Sequence, residues 1–475
     1  MGLGTTKIVC IKPNSFEQEN HFYPRVLNAQ VNPLVRHFMK MSNQRIALRY
    51  CHLNPHVNYD DLVAVLEQPS RYLRWAGCDL MHVTNAIGER KMVIIETNSS
   101  PSGQKSMPLL SEEDELNGYR AVVEAMLPDI QKSKGKGILA VIYDKNPMEA
   151  SGYAAAMAEI ADEQVWLIPF EDGAENIFLE DDWICTKIDG EITPIRYAHR
   201  YVTQKPWNRL PIRTKTKLLN PIIACLAGGR NKALAAKAYD FYNAYNQSRG
   251  LKIETPMTVW NVSYAEVPFW VERMGGYAVV KVPYSNAGQG VYTISSDQEL
   301  SQFMNKEQHY DRFIVQSLIG HYNWSSGRND QEKLFQVGTI PNRKGDIFVS
   351  DLRMMVCFGK DGWSPVAMYA RRAKRPIKPE KPDDSWAVLG TNLSSKDQEG
   401  HWATDPERLL LMDQRDFNRL GLSLDEIIEA YVQTVLSVLA IDDMAQRLIS
   451  TKGTLRRKLF QDLCQDEVLV GEILV

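Results

Sequence analysis

The sequence predicts a mixed α/β fold, and three stretches of the chain support this prediction. Residues 92–103, M-V-I-I-E-T-N-S-S-P-S-G, begin with β-branched residues and end in turn formers, which is typical of a short buried strand. Residues 137–170 have the pattern of strand, helix and strand, the order of a small α/β unit. Residues 403–475 have mostly helical periodicity, so we expect a helical C-terminal region.

Composition and charge limit the classes of function. The 475 residues are enough for roughly two to four domains. The contents of 44% apolar and 24% charged residues are ordinary for a soluble globular protein. A net charge of −3 with interspersed signs gives no reason to expect nucleic acid or an anionic membrane as a partner. No apolar run reaches the length of about 18 residues that a membrane-spanning helix needs.

Cysteine usage and the first residues favour the cytoplasm. The seven cysteines show no C-x-x-C spacing, so we expect neither a disulfide framework nor a zinc site. The residues M-G-L-G-T-T-K lack the apolar stretch of a secretory signal. We therefore expect a cytoplasmic protein that acts on small molecules, and the sequence leaves open whether it forms a homodimer.

The first part of the chain is expected to hold short elements around two paired strands. K-I-V-C-I at 7–11 is predicted to be a strand, and apolar periodicity predicts a helix over 60–73. A-G-C-D-L-M at 76–81 is a strand that is predicted to form a hairpin with residues 92–98. The other elements predicted here are helices over 35–41 and 112–131 and a strand over 45–50.

A polar linker separates this part from the α/β unit. K-S-K-G-K-G at 132–137 is rich in Gly and Lys and is the best candidate for a domain boundary. The apolar run that follows it, G-I-L-A-V-I-Y-D, is typical of a strand buried on both faces. The elements predicted next are a helix over 149–162, a strand over 164–170 and shorter strands over 176–202.

Glycine residues bracket the next helix and a second hairpin. A helix is predicted over 232–246, because Gly228 and Gly229 precede it and Gly250 follows it. The elements predicted after it are strands over 277–282, 291–294, 312–316, 351–358 and 365–370, and helices over 297–306 and 424–441. A glycine-containing loop joins the first two of these strands, so they are predicted to pair.

A carboxylate and an amide end the strand at 92–98. Glu96 and Asn98 are two residues apart, so their side chains point to one face of the strand. Asp79 on the partner strand is predicted to lie opposite Glu96. Oxygen donors of this kind suit Mg²⁺. The alternative is a strand with a solvated end and no metal.

The loop after residue 282 suits a phosphate. Gly288 and Gly290 allow a tight turn whose N–H groups face phosphate oxygens, and Lys281 adds a positive charge beside them. The loop is neither a Walker A sequence nor a G-x-G-x-x-G motif that opens a helix, because a strand follows it. The alternative is an ordinary glycine hairpin.

Four further basic residues fit the same ligand. Lys232 begins a helix and is expected to reach a phosphate, although a surface lysine is the alternative. Arg353, Arg371 and Arg372 end or flank buried strands, where they either stabilise an anion or form ion pairs at the rim. Asp351 is expected to orient a neighbouring side chain.

Several motifs together resemble the ATP-grasp superfamily, most closely its ribosomal-protein glutamate ligases and D-alanine–D-alanine ligase. R-N-K-A-L-A-A-K resembles the helix whose lysine touches the α-phosphate. G-G-Y-A-V-V-K-V-P-Y-S-N-A-G-Q-G-V resembles the phosphate-covering strand and loop, and R-F-I-V-Q-S-L-I resembles the hinge strand whose backbone binds adenine. The resemblance implies that the nucleotide is bound by Lys232, Lys281, Asn286, Ala287, Gly288, Gln289, Gly290, Val315, Gln316, Ser317 and Leu318.

The resemblance also implies residues for catalysis. D-L-R-M-M-V and V-A-M-Y-A-R-R-A-K resemble the next pair of strands, with Arg371 or Arg372 as the transition-state arginine and Arg353 beside them. G-T-N-L-S-S resembles the substrate-loop segment, with Asn392 as its asparagine. One departure is Ser317, which stands where relatives carry an acid.

The order of the motifs resembles a circular permutation. A-G-C-D-L and E-T-N-S-S-P-S-G resemble the metal-binding strands of the family, which usually come last and here come first, an arrangement also known in eukaryotic glutathione synthetase. Asp79, Glu96 and Asn98 are the implied metal ligands. The expected domains are an N-terminal segment with the permuted metal-binding part (1–131), a small α/β substrate domain (136–230), the nucleotide-binding subdomains (231–402) and a helical C-terminal extension (403–475).

The resemblance implies an enzyme that uses ATP to join a carboxylate to an amine through an acyl phosphate, with release of ADP and phosphate. ATP and Mg²⁺ are the implied cofactors, with two ions expected and Mn²⁺ as an alternative metal. Ser100, Ser102 and Gly103 are expected to hold the substrate carboxylate, and Arg196 and Arg200 a second one. The alternatives are a small-molecule kinase on the same fold and an ATP-binding protein without catalysis.

Overall fold

The computed structural model describes residues 7–135, 137–170, 175–202, 210–285, 288–396 and 402–474. The strands are β1 (Val9–Ile11), β2 (Trp75–Asn85), β3 (Arg90–Asn98), β4 (Ile138–Tyr143), β5 (Val165–Pro169), β6 (Phe178–Glu180), β7 (Trp183–Ile188), β8 (Glu191–Tyr201), β9 (Lys217–Leu219), β10 (Thr258–Ser263), β11 (Ala278–Lys281), β12 (Val291–Ile294), β13 (Arg312–Ser317), β14 (Leu334–Gln336), β15 (Ser350–Gly359), β16 (Gly362–Arg372), β17 (Ser394–Lys396), β18 (Trp402–Thr404) and β19 (Leu409–Leu410).

The helices lie between these strands and after them. They are α1 (Gln18–His21), α2 (Pro24–Leu27), α3 (Pro33–Met39), α4 (Asn43–Leu53), α5 (Tyr59–Leu66), α6 (Gly118–Lys132), α7 (Pro147–Ala161), α8 (Ile222–Ala224), α9 (Lys232–Asn246), α10 (Val267–Arg273), α11 (Asp297–Met304), α12 (Ser385–Leu389), α13 (Gln414–Leu420), α14 (Leu424–Leu448), α15 (Arg457–Leu463) and α16 (Glu467–Leu474). None of the described helices is both long and apolar enough to cross a membrane.

The chain has a mixed α/β fold, as the sequence predicts. One sheet has the order β1-β5-β4-β8-β7-β6, with β9 beside β8. A second sheet has the order β10-β13-β11-β12, and a third has the order β14-β2-β15-β16-β19, with β3 paired to β2. In the first sheet β4 runs parallel to β5 and β8, and α7 connects β4 to β5, so the predicted α/β unit is confirmed.

Two hairpins that the sequence predicts are confirmed by the strand pairing. β2 and β3 are antiparallel, with Asp79 directly opposite Glu96 and a bulge just after this pair. β11 and β12 are antiparallel, with Lys281 opposite Val291. On the other edge of β2, Arg353 of β15 lies opposite Asp79. The register therefore aligns Glu96, Asp79 and Arg353 across three strands, on one face of the third sheet.

Helix α14 lies at the centre of the fold. A capping box formed by Ser423 and Glu426 fixes its first turn. The sequence predicts an amphipathic helix over 424–441, but the helix continues to Leu448 and most of its residues are buried. The reason is that α14 is covered by β3 and β15 on one side and by α9, α3 and α4 on others.

Two local predictions in the first part of the chain are wrong. The strand predicted over 45–50 is part of α4, because Ser42 accepts a hydrogen bond from Arg45 N–H as a helix cap and the helical pattern continues to Leu53. The apolar residues of this short stretch fit the two-residue period of a strand as well as the period of a helix. The helix predicted over 60–73 ends at Leu66, shortly before Pro69, which disfavours helical backbone in the residue before it.

Candidate nucleotide and metal site

A cleft lies between the second and third sheets. Its wall includes Asp79 and Glu96 from the β2–β3 hairpin, Lys281 from β11, Gln316 from β13 and Arg371 from β16. These segments are far apart in the sequence, and the tertiary structure brings them together. The other predicted site residues on this wall are Lys232, Gly288, Ser317, Leu318 and Asn392.

Two lysines and one glutamate meet where β3 approaches β11. The ammonium of Lys281 donates a hydrogen bond to the backbone oxygen of Ile95 at 3.2 Å, and the ammonium of Lys232 lies 3.4 Å from Oε1 of Glu96. Burial lowers the pKa of Lys281 to about 8, although Glu96 acts in the opposite direction. Burial alone would raise the pKa of Glu96, but Lys232, Arg230 and Lys281 hold it below its usual value. The cleft therefore contains close, buried charges of both signs.

Asp79 is held by two arginines. Arg353 binds its carboxylate with both Nε and Nη2, at 2.6 and 2.7 Å, and Arg371 Nη2 lies 2.9 Å from Oδ2. Arg371 also donates to Asp351 through Nε at 3.0 Å, and Asp351 accepts a further hydrogen bond from the hydroxyl of Thr391 at 2.8 Å. Burial would raise the pKa of Asp79, but the two guanidinium groups hold it well below its usual range.

The residues predicted to hold Mg²⁺ fit that ion in part. The side chain of Asn98 is buried and is not part of the cleft wall, and its unpartnered atom is the donor Nδ2, which does not bind a cation. Glu96 lies on the same face of β3 and on the wall of the cleft. Asp79 does not fit, because both of its oxygens are engaged by arginines. Among the residues that the structure describes, no three His, Cys, Asp or Glu side chains form a group that could hold a metal.

The structure separates the two candidate arginines of β16. Arg371 points into the cleft, where it also lies 3.5 Å from Oδ1 of Asn392. Arg372 is the next residue on the strand and therefore points to the opposite face, where its guanidinium lies 4.7 Å from the centre of the Phe348 ring. Of these two alternatives, only Arg371 is placed to meet a ligand in the cleft.

The glycine loop between β11 and β12 is described in part. Gly288 and Gly290 have φ values of 74° and 67°, a region that favours glycine. A side chain at Gly288 would collide with Asn392, since an added Cβ would lie 2.3 Å from its Nδ2. Gln289 is exposed and is not part of the cleft wall. The predicted ligand residues Asn286 and Ala287 lie outside the described part of the chain.

The predicted hinge is only partly available to a base. The N–H of Leu318 donates to Oγ of Ser326 at 2.7 Å, and its carbonyl accepts from Ser326 N–H at 3.0 Å. The N–H of Ser317 donates to Met257 O at 2.8 Å. Val315 is fully buried and does not reach the wall. The N–H of Leu318 is therefore engaged, while its carbonyl oxygen can accept a second hydrogen bond, and the binding of adenine by this backbone stays a prediction.

The predicted substrate loop after β3 is occupied by a buried glutamate. Oε1 of Glu149 accepts hydrogen bonds from the N–H groups of Gly103 and Gln104 at 2.8 and 3.0 Å, and its Oε2 accepts one from the hydroxyl of Ser102 at 2.8 Å. Glu149 lies in α7 and is fully buried. Ser102 and Gly103 therefore cannot offer these donors to a substrate carboxylate in this arrangement. Sequence patterns give no signal for this contact.

The two arginines of β8 do not form the predicted second carboxylate site. Arg196 is buried in an ion pair with Glu163 at 2.7 Å and donates to Gly137 O, at the start of β4 and away from the cleft. Arg200 lies four residues further along β8 and uses Nη1 for the carbonyl of Val202 at 2.6 Å. Only Arg200 approaches the loop, with Nη2 at 3.3 Å from Oγ of Ser100.

The cleft also has an apolar wall, in which Trp386 and Leu389 lie outside the sequence motifs. Trp386 and Leu389 of α12 and Val279 of β11 line it, and Val279 packs against the apolar cluster that contains Leu389. A sequence signal exists, because Asp384 caps α12 and the two apolar residues are three apart, which places them on one side of a short helix. An apolar wall with a few polar groups beside it is typical of a small-molecule site.

A solved ATP-grasp protein is similar to this chain. It is a RimK domain protein from Sphaerobacter thermophilus, with 12% identity, a TM-score of 0.30, and coverage of 48% of this chain and 89% of its own. A glutathione synthetase-like effector from Globodera pallida has 9% identity and a TM-score of 0.37, covering 70% of this chain and 81% of its own. D-alanyl-alanine synthetase A from Vibrio cholerae has 10% identity and a TM-score of 0.31, covering 54% and 93%. No protein-family model matches the sequence, and no curated protein does.

Proposed function

We propose that this chain is an ATP-grasp enzyme that joins a carboxylate to an amine, with ATP and Mg²⁺ as cofactors. One observation carries the proposal: Glu96, Lys232, Lys281 and Arg371 come from four distant segments and line one cleft. A shared binding site requires these motifs to meet at one cleft, and they do. The circular order of these motifs is part of the proposal.

The cleft suits a nucleoside triphosphate from end to end. The apolar wall of Val279, Trp386 and Leu389 takes the base. Lys232 and Lys281 neutralise the phosphates, and the loop at Gly288 covers them. Glu96 and Asn98 would hold Mg²⁺, which would supply charge neutralisation to the phosphate oxygens.

The reaction needs positioned charge more than a protein nucleophile. An oxygen of the substrate carboxylate attacks the γ-phosphorus, the bond to ADP breaks, and an acyl phosphate forms. The amine then attacks the acyl carbon and inorganic phosphate leaves. Arg371 stabilises the charge on the transferring phosphoryl group, and Asp351 holds its guanidinium in place. Asn392 lies beside Arg371 on the wall of the cleft, where it is placed to contact the substrate.

A second candidate function is ATP binding without turnover. It is favoured by the contacts of Asp79, whose carboxylate is fully engaged by Arg353 and Arg371. If Asp79 is not free to bind Mg²⁺, the cleft offers fewer metal ligands than a catalytic site with two ions requires. A kinase that uses the same cleft is the third alternative.

The experiment that tests the proposal uses hydroxylamine as the amine. The protein is incubated with Mg²⁺, ATP and pools of amino acids, and ADP and hydroxamate are measured. Hydroxamate marks an acyl phosphate and supports the ligase. ADP release with a stable phosphorylated product would instead support a kinase, and nucleotide binding with no ADP release would support the second candidate.

A matched pair of variants assigns the activity to the cleft. Glu96→Gln removes a proposed metal ligand, so we expect turnover to fall by about 10²-fold or more. Glu272→Gln makes the same chemical change at an exposed position of α10 and is expected to leave turnover unchanged. Equal activity of both variants would contradict the assignment of Glu96.

A further inference from the structure

A second cavity lies at the junction of α4, the β2–β3 hairpin, the end of α9 and the first half of α14. Its volume is about 1010 Å³, which is enough for a small organic molecule. Among the residues that the structure describes, it shares no wall residue with the cleft between the second and third sheets. The cavity is therefore a candidate site for a separate ligand.

Three of the basic side chains on the wall of this second cavity already have acidic partners. Arg49 binds Asp425 with Nε and Nη2, at 2.7 and 2.8 Å. Lys91 and Lys252 both bind the carboxylate of Glu254, at 3.3 and 3.1 Å. An anionic ligand would have to displace a carboxylate from each of these cations, so the wall does not favour an anion.

One acidic side chain on the same wall has no such partner. Glu429 of α14 is partly buried and forms no ion pair with any residue that the structure describes. Burial raises the pKa of its carboxyl to about 8. The N–H of Met92 and the ammonium of Lys91 favour the ionised form, and Glu254 and Glu426 oppose it. A cation beside Glu429 would therefore stabilise its carboxylate.

A buried imidazole next to this wall is also without a hydrogen-bond partner. His82 on β2 is 5% exposed, and neither of its ring nitrogens is hydrogen-bonded. Its Nε2 lies 3.9 Å from Oε1 of Glu426, which is on the cavity wall. Burial lowers the pKa of His82 to about 4, so the ring is neutral at pH 7 and does not neutralise Glu426. Glu426 and Glu429 thus both lack a cationic partner among the described residues.

Apolar side chains share the wall with these carboxyl groups. Leu251 and Ile428 are buried, each 1% exposed, and both line the cavity. Tyr50 lines it as well, and burial raises the pKa of its phenol, with Glu429 adding to the rise, so the phenol stays neutral. The part of the chain that the structure describes has no group of three His, Cys, Asp or Glu side chains that could hold a metal. An organic cation with an apolar chain therefore fits this wall better than a metal ion does.

We propose that the second cavity binds a protonated primary alkylamine, with the carboxylate of Glu429 as the partner of the ammonium. The ammonium keeps Glu429 ionised, and the alkyl chain packs against Leu251 and Ile428. This inference goes beyond the proposed function and does not depend on it, because the site lies apart from the cleft.

The binding test compares n-pentylamine with 1-pentanol, which has the same carbon chain and no charge. Calorimetry at pH 8 and constant ionic strength should show one site for pentylamine per chain, and binding of pentanol that is weaker by about tenfold or more. Glu429→Gln should weaken the binding of pentylamine by about tenfold or more. Glu272→Gln, at an exposed position of α10, is the matched control and should bind pentylamine like the wild type.

Proton release gives a second readout that needs no variant. In the empty cavity at pH 7 the carboxyl of Glu429 is mostly protonated, since its pKa is about 8. Binding of an ammonium should therefore release close to one proton, which calorimetry in two buffers of different ionisation enthalpy measures. The affinity should rise by about tenfold from pH 6 to pH 7 and level off above pH 8. Glu429→Gln should release no proton.

The outcomes decide both the ligand and the place where it binds. Equal affinity of the wild type for pentylamine and pentanol, or binding of pentylamine without proton release, would overturn the proposal. Equal affinity of the wild type and Glu429→Gln for pentylamine would overturn it as well. Saturation with Mg²⁺ and ATP should leave the affinity for pentylamine unchanged, and displacement of the amine by ATP would place it in the cleft instead and refute the second site.

Discussion

Removing Arg353 should destabilise the protein far more than removing an exposed arginine. Arg353 makes two hydrogen bonds with the carboxylate of Asp79, at 2.6 and 2.7 Å, and donates from Nη1 to Ser102 O at 3.2 Å. The side chains of both partners are close to 10% exposed, at 11% and 8%, so solvent does little to screen the pair. Arg353→Met leaves Asp79 buried with only Arg371 as its partner.

The magnitude follows from the cost of a buried charge that loses its partner. Such a loss costs about 3–5 kcal/mol. Asp79→Asn in the same protein removes the charge that needs the arginine, so the double variant should cost less than the sum of the two single variants, by about 0.5–3 kcal/mol. If Arg353→Met acted only through lost packing, the costs of the two single variants would simply add.

Urea unfolding at 25 °C, followed by both circular dichroism and tryptophan fluorescence, measures these free energies. Arg49→Met is the control, since Arg49 forms an ion pair with Asp425 in which both side chains are partly exposed, at 43% and 33%, and little change is expected. A cost below about 1 kcal/mol for Arg353→Met, or strictly additive costs in the double variant, would refute the description of this network.

Three further predictions concern the cleft. Burial lowers the pKa of Lys281 to about 8, so its ammonium loses its proton as the pH rises through that value. The affinity for ATP, measured by calorimetry, should therefore fall between pH 7 and 9 in the wild type. The affinity of Lys281→Arg should stay level over the same range, because arginine keeps its charge. Arg371→Lys should lower turnover by about 10²-fold while Arg372→Lys, on the opposite face, retains it, and equal losses would contradict the separation of the two side chains. Gly288→Ala should weaken ATP binding, because its Cβ would meet a side-chain atom at 2.3 Å, whereas Gly276→Ala, at a similar φ in open space, should leave nucleotide affinity unchanged.

The stability contributed by Asp79 should also depend on pH. Its folded pKa lies below the unfolded value of about 3.9, so the contribution is complete above that value and is lost as the pH falls through the folded pKa. The difference in unfolding free energy between wild type and Asp79→Asn should therefore be constant from pH 5 to 8 and shrink in acid. A difference that changes across neutral pH would point to another group.

Local patterns in the sequence were enough to predict both hairpins and the α/β unit. β-branched runs ending in turn formers, and a glycine loop between two short apolar strands, have few other solutions. The side-chain alternation of a strand then puts Glu96 and Asn98 on one face, and the pairing in the structure puts Asp79 opposite Glu96, as predicted. The prediction of a strand over 45–50 is wrong, because six residues are too few to distinguish the alternation of a strand from the period of a helix.

The sequence by itself therefore determined which segments carry the polar residues of the cleft and which face of each strand they occupy. Only the tertiary structure decided what those residues touch. Arginines from β15 and β16 bind the carboxylate of Asp79. Glu149 from α7 accepts hydrogen bonds from Ser102 and Gly103, and Arg196 forms an ion pair away from the cleft. The physical reason is that a buried charge pairs with a partner close to it in space. The number of residues between two positions in the chain does not determine how far apart they lie in the fold.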